Sequence, residues 1–144
     1  MPELAHRISK SNLKDLHEVA GMTFRKNGQI IRTPDRPFIQ NLDERPHPAY
    51  KHFALSKYCR FGKLILPIIA SRECAFSCSL CLALLIAGKK FRARSLKNVV
   101  DELEWLRDTH GADAFAFYDD TFTFDRKRVS EICREMKKGN VDLP

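Results

Sequence analysis

Three of the five cysteines, Cys74, Cys78 and Cys81, fall within Ser71 to Cys81, which reads Ser-Arg-Glu-Cys-Ala-Phe-Ser-Cys-Ser-Leu-Cys. Separations of three and then two residues allow one tight turn to aim three soft thiolates at a common centre. A structural zinc site would need a fourth ligand to close its tetrahedron. The only cysteines left are Cys59 and Cys133, far away in sequence. A four-iron cluster held by three thiolates would instead keep one iron open to a further ligand. A second chemical feature is the carboxylate pair of Asp119-Asp120-Thr121-Phe122-Thr123.

The elements around these residues predict how they meet. Leu64 to Ala70 is an apolar run that reads as a strand, although Pro67 interrupts its pattern. A strand apolar on both faces belongs in a parallel sheet covered by helices, and the cysteines would follow its C-terminal end. Ser95 is placed to cap a helix whose face is Val99, Val100, Leu103 and Leu106, with Gly111 as the stop. Ala114 to Tyr118 reads as a second strand leading into Asp119 and Asp120. Asp125 then caps a second helix with the face Val129, Ile132, Cys133 and Met136, ended by Gly139. Asn140 to Pro144 reads as the approach to a third strand. Right-handed crossovers put both strand ends on one rim, so the cysteine loop and Asp119/Asp120 should face the same mouth of an α/β fold.

The N-terminal part carries less chemistry. Residues 1–18 are polar and mixed, with a faint helical spacing of Leu13, Leu16 and Val19. Asp15-Leu16-His17 begins like the Asp-x-His-x-x-Gly pattern of cobalamin-binding domains, but Ala20 stands where glycine is needed, so His17 reads as a surface histidine. Two β-prone runs flank Asn27-Gly28, the strongest short-range hairpin signal. Pro34, Pro37, Pro46 and Pro48 make residues 34–50 an extended connector, which places a boundary at Tyr50.

The composition is that of an ordinary soluble protein, 44% hydrophobic and 30% charged over 144 residues, enough for one modest domain. The apolar run Leu82 to Ala87 is too short to span a bilayer, and Met1-Pro2-Glu3 does not begin a signal peptide. The expected compartment is the cytoplasm, where clustered thiols stay reduced and bind metal more often than they pair. The formal charge of +7 raises nucleic-acid binding as an alternative, because Arg60, Lys63, Arg72, Lys89, Lys90, Arg92, Arg94 and Lys97 crowd the cysteines. The aromatic interleaving of a single-strand platform is missing. A solvated basic face near an anionic cofactor or substrate is the preferred reading. Arg92 and Arg94 read as loop-fixing or solvated residues, Cys59 as structural, and Cys133 as part of a helix core face.

On these residues the chain resembles the radical S-adenosylmethionine superfamily, whose signature Cys-x3-Cys-x2-Cys follows the first strand of a partial (β/α) barrel. Leu66-Pro67-Ile68-Ile69-Ala70-Ser71-Arg72 and Ala116-Phe117-Tyr118-Asp119-Asp120-Thr121-Phe122-Thr123 are similar to its first two strand ends. Arg36-Pro37-Phe38-Ile39, Leu42-Asp43, Pro46 and Pro48-Ala49-Tyr50 resemble the connector of the subgroup with an N-terminal cobalamin-binding domain. The resemblance implies an incomplete (β/α) barrel of the radical SAM type. Residues 1–50 would be the tail of a cobalamin-binding-type domain with its hairpin and linker, and residues 51–144 the first two β/α units of the core.

It also implies that Cys74, Cys78 and Cys81 ligate a [4Fe-4S] cluster whose open iron takes the methionine end of S-adenosylmethionine. Leu80 would lie near the adenine, at a position that is usually aromatic. Asp119 or Asp120 would hold the methionine ammonium through a charge-assisted bond. Reductive cleavage of the sulfonium would start methylation or rearrangement of a small-molecule substrate, with electrons from an external donor. Cobalamin would enter only through a domain missing from this sequence, and the rest of the enzyme could be a separate chain. Glycine is usual before the first cysteine, where this chain has Glu73; a Cβ there is costly if φ is positive. A non-catalytic zinc module and a basic nucleic-acid-binding fragment are the alternatives to this enzyme reading.

Overall fold

A computed structural model describes residues 2–10, 16–76, 78–82, 88 and 90–141, which divide into two compact units, Met1–Phe38 and Ile39–Pro144. Leu42 and Tyr50, which the sequence places in the connector, are buried in the second unit.

The first unit contains helix α1 (Pro2–Ser9) and a hairpin of β1 (Thr23–Lys26) and β2 (Gln29–Arg32). Asn27 and Gly28 take φ of 51° and 80°, the left-handed pair that a two-residue hairpin turn needs to match strand twist. The helix lies earlier than the spacing of Leu13, Leu16 and Val19 suggests. Leu13 is outside the described residues, and Leu16–Glu18 forms only a 3-10 turn. Val19 is buried, and its carbonyl accepts a 2.8 Å bond from the Thr33 hydroxyl. His17 is exposed.

The second unit is α/β. Strand β4 (Lys63–Ile68) lies between the short antiparallel β3 (Cys59–Arg60) and the parallel β7 (Ala114–Phe117). A separate two-residue ladder joins β5 (Ser71–Arg72) to β6 (Arg92–Ala93), closing the base of the cysteine loop. Helix α2 (Leu96–His110) starts where Asn98 N–H donates to Ser95 Oγ and stops at Gly111, whose φ of 68° turns the chain out of the helix. Helix α3 (Arg126–Lys138) is capped by Asp125, which accepts from Arg128 N–H at 3.0 Å. Both caps satisfy orphan amides of a first helical turn.

One layer of core lies between strands and helices. Ile68 and Ala70 pack with Val99 and Leu103 of α2, Ile132 of α3 and Val141. Leu64 and Leu66 pack with Leu106, Ala112 and Tyr50. Burial of β4 alternates, and this corrects the expectation of a strand covered on both faces. Leu64, Leu66 and Ile68 are buried, whereas Ile65 is half-buried and Pro67 exposed. Pro67 is tolerated because of its phase in the ladder. The carbonyls of Leu64 and Ile68 accept from Asp113 and Tyr118 on the β7 side, so Pro67 faces the opposite edge, beyond its two-residue ladder with β3. Its carbonyl there accepts a 2.9 Å bond from the Tyr50 hydroxyl, and its missing N–H removes no ladder bond.

Cys133 is likewise corrected. It is exposed on α3 while Ile132 fills the core, since the next residue on a helix is turned about 100° away. Val141 joins the core, and residues 142–144, the approach to a third strand, are outside the described residues. Among the described residues no helix is long and apolar enough to cross a membrane.

Candidate functional site

The site is built where the parallel strands end. After β4 the Ala70 amide donates to Asp119 Oδ1 at 2.8 Å, and the Ser71 hydroxyl donates to Asp119 Oδ2 at 2.5 Å. Both oxygens of Asp119 therefore fasten the root of the cysteine loop to the end of β7. Two residues later the Thr121 hydroxyl donates to Cys74 Sγ at 3.3 Å. The expected convergence of cysteine loop and acidic loop is thus a set of direct bonds. Asp120 is exposed beside them.

The far side of the loop root is held by arginines. Arg94 N–H donates to the Ala70 carbonyl at 3.0 Å, and its guanidinium donates to the Ile69 carbonyl at 2.9 Å and to Asn98 Oδ1 at 2.6 Å. That guanidinium also pairs with Glu102, which is buried on α2. Arg128 reaches the Ala70 carbonyl at 3.2 Å. Burial lowers the Arg128 guanidinium below its ordinary value, against the raising effect of Asp119, Asp125 and Asp43. Arg92 donates to Glu73 Oε1 and to the Ile39 carbonyl. Both Arg92 and Arg94 are loop-fixing residues, one of the two roles read from the sequence.

Glu73 itself carries φ of 77° and is 2% exposed, so the position before the first cysteine has the left-handed backbone that glycine adopts without strain. Its carboxylate is turned inward onto Arg92, and Oε2 has no hydrogen-bond partner among the described residues. Backbone strain of this kind is kept where surrounding contacts over-determine it.

The thiols are unequal. All are free; Cys74 is half-buried, whereas Cys78 and Cys81 are exposed and share a turn in which Cys81 N–H donates to the Cys78 carbonyl at 3.1 Å. Leu80, the expected adenine neighbour, is 97% exposed. Among the described residues no group of three His, Cys, Asp or Glu side chains stands close enough to hold one ion. The donor set, three free thiols in one loop, fits an iron-sulfur cluster by its chemistry. Ser77, 83–87 and Lys89 in this loop lie outside the described residues.

Sequence reasoning missed an aromatic contact. Phe124, after the acidic loop, meets Phe76 of the cysteine loop edge-on at 5.7 Å and Phe91 at 5.3 Å. The signal was the phenylalanine within Cys-Ala-Phe-Ser-Cys, which spacing alone does not pair with a residue beyond the second strand. A recess of about 660 Å³ opens along the edge of β4 beyond its short ladder with β3, with Tyr50, Ile65, Pro67, Arg72 and Tyr118 in its wall.

No family model matches the chain. It is 35% identical to an uncharacterized methyltransferase of Pyrococcus horikoshii over 98% of the chain and 30% of that protein. It is 32% identical to the anaerobic magnesium-protoporphyrin IX monomethyl ester cyclase of a Synechocystis strain, over 92% of the chain and 26% of that enzyme. Its fold is shared with the radical S-adenosylmethionine methyltransferase TsrM of Kitasatospora setae, with a TM-score of 0.71 and 24% identity over 97% of the chain and 28% of TsrM. TsrM has been solved with tryptophan and an S-adenosylmethionine analog, and with cobalamin and a [4Fe-4S] cluster. The chain spans 30% or less of the length of each of these proteins.

Proposed function

Because the chain belongs to the radical S-adenosylmethionine superfamily, in the subgroup whose members carry a cobalamin-binding domain, we propose that residues 51–144 form the first two β/α units of a radical SAM core. In this reading Cys74, Cys78 and Cys81 ligate a [4Fe-4S] cluster, which supplies the electron for reductive cleavage of S-adenosylmethionine. The observation that carries it is the bonding of the cysteine-loop root to Asp119 across parallel strand ends. That bonding fixes the first ligand relative to the carboxylate loop. Cys74 would be the half-buried ligand of the three, and Cys78 and Cys81 the exposed ones.

The two carboxylates divide the work. Asp119 already accepts from Ala70 and Ser71 and serves as loop anchor, which leaves Asp120 to meet the methionine ammonium. Leu80 lies beside the adenine and offers apolar contact without stacking. The relatives' names include a methyltransferase and a cyclase, so the substrate is a small molecule and the outcome is methyl transfer or ring closure.

Anaerobic reconstitution of the chain with ferrous iron and sulfide tests this reading. The expected product is a brown, oxygen-sensitive protein with about four irons per chain. Iron should be lost in each of Cys74→Ala, Cys78→Ala and Cys81→Ala, and S-adenosylmethionine binding should be weakened in Asp120→Asn. One tightly held zinc per chain with no affinity for S-adenosylmethionine overturns it.

A further inference from the structure

The hydroxyl of Thr121 does not do what its position in the chain would have it do. Thr121 stands at the N-cap of the 3-10 turn Phe122–Phe124, where a threonine side chain ordinarily accepts from an amide of the first turn. It makes no such bond. Its backbone, at φ −150° and ψ 80°, instead carries the side chain to Cys74, and the hydroxyl donates to Sγ at 3.3 Å in a half-buried setting. Among the described residues no hydrogen bond reaches the sulfur of Cys78 or Cys81.

Cys74 is also the thiol whose place is most determined. It follows Glu73, held by Arg92, and it lies three residues beyond Ser71, held by Asp119. Thr121 lies two residues beyond Asp119. The two loops are therefore tied at two levels, Ser71 to Asp119 and Cys74 to Thr121, and the second tie ends on the sulfur that the proposed function makes the first cluster ligand.

We propose that Thr121 is a positioning residue for the cluster: it donates a hydrogen bond to the sulfur of the first ligand and makes the bound cluster easier to reduce. The proposal rests on the reading of Cys74 as a cluster ligand. A hydrogen bond to a ligand sulfur withdraws negative charge, which favours the more negative, one-electron-reduced cluster. The electron comes from an external reductant. No proton need move, because the hydroxyl only donates and keeps its hydrogen.

Two measurements test it. Wild type, Thr121→Val and Thr121→Ser are reconstituted anaerobically and titrated with dithionite, with iron content measured in parallel. The expected result is equal iron in all three, a lower midpoint potential in Thr121→Val, and the wild-type midpoint in Thr121→Ser. Equal midpoints at equal iron content overturn the proposal, since a purely structural threonine would give that result. The second measurement needs no iron. In a double-mutant cycle on the metal-free chain, Thr121→Val and Cys74→Ala should be non-additive by about 2- to 10-fold in the folded-to-unfolded ratio. Additive effects overturn the contact. Failure of wild type to take up iron overturns both the cluster reading and the tuning role, and the cycle then reports separately on the bond.

Discussion

The Glu73 carboxylate and the Arg92 guanidinium form an ion pair closed to solvent, with side chains 1% and 9% exposed, one residue ahead of the first cysteine. Removing one member of such a pair strands the other in a medium that cannot solvate it. Arg92→Ala should therefore destabilise the second unit by about 3–5 kcal/mol. The double variant Glu73→Gly with Arg92→Ala should recover part of the loss, because glycine accepts the φ of 77° without strain and no charge is left unpaired. Denaturant midpoints check both. Equal midpoints for wild type and Arg92→Ala would show that the pair is solvated.

Asp119 offers a second test at the root of the same loop. Its carboxylate accepts from one backbone amide and one hydroxyl. Asp119→Ala orphans the Ala70 amide, at a cost of about 1–3 kcal/mol. Asp119→Asn keeps an acceptor for that amide and should cost less. Amide hydrogen exchange at Ala70 reads the difference directly, with faster exchange in the alanine variant than in the asparagine one.

Much of this architecture was legible because local chemistry and tertiary packing agree. Ser95, Gly111 and Asp125 mark helix ends by capping rules that depend on few neighbours, and Asn27-Gly28 marks its turn by φ alone. Val99, Val100, Leu103 and Leu106 lie on the buried face their spacing describes. The misreadings come from contacts between residues far apart in sequence. Pro67 looked disruptive because its edge of β4 could not be known. Cys133 looked like core because a cysteine beside Ile132 is apolar enough to be either. At the site, the three thiols and the acidic pair were visible as residue types. The use of Asp119 as an anchor, the hydroxyl on Cys74 and the Phe76–Phe124 contact were not, since each joins positions more than forty residues apart.

Leu103 tests whether the helical layer holds the strands. Its side chain is fully buried among Ile68, Val99 and Ile132. Leu103→Ala removes apolar contact and leaves a cavity, so the expected loss is about 2–5 kcal/mol. Asp101, an exposed neighbour on the same helix, provides the control. Asp101→Ala should shift the denaturation midpoint only slightly, because its partner Lys97 is a surface pair.

Tyr50 makes stability depend on pH in the alkaline range. Tyr50 is 8% exposed, its ring lies against Trp105 and His110, and its hydroxyl donates to the Pro67 carbonyl on the edge of β4 beyond β3. Burial raises its pKa above the ordinary tyrosine value, and the negative charge of Glu102 raises it further. The folded state therefore holds the phenolic proton more tightly than the unfolded chain. Its contribution to stability is complete below the ordinary tyrosine value and is lost as pH rises through the raised one. Tyr50→Phe removes both the donor to Pro67 and the ionisation. At neutral pH the variant should be less stable by about 0.5–1.5 kcal/mol. Between about pH 9 and 11 its stability should fall less steeply than that of wild type. Denaturant midpoints across that range compare the two slopes, and parallel slopes would mean that Tyr50 ionises as freely in the fold as in the open chain.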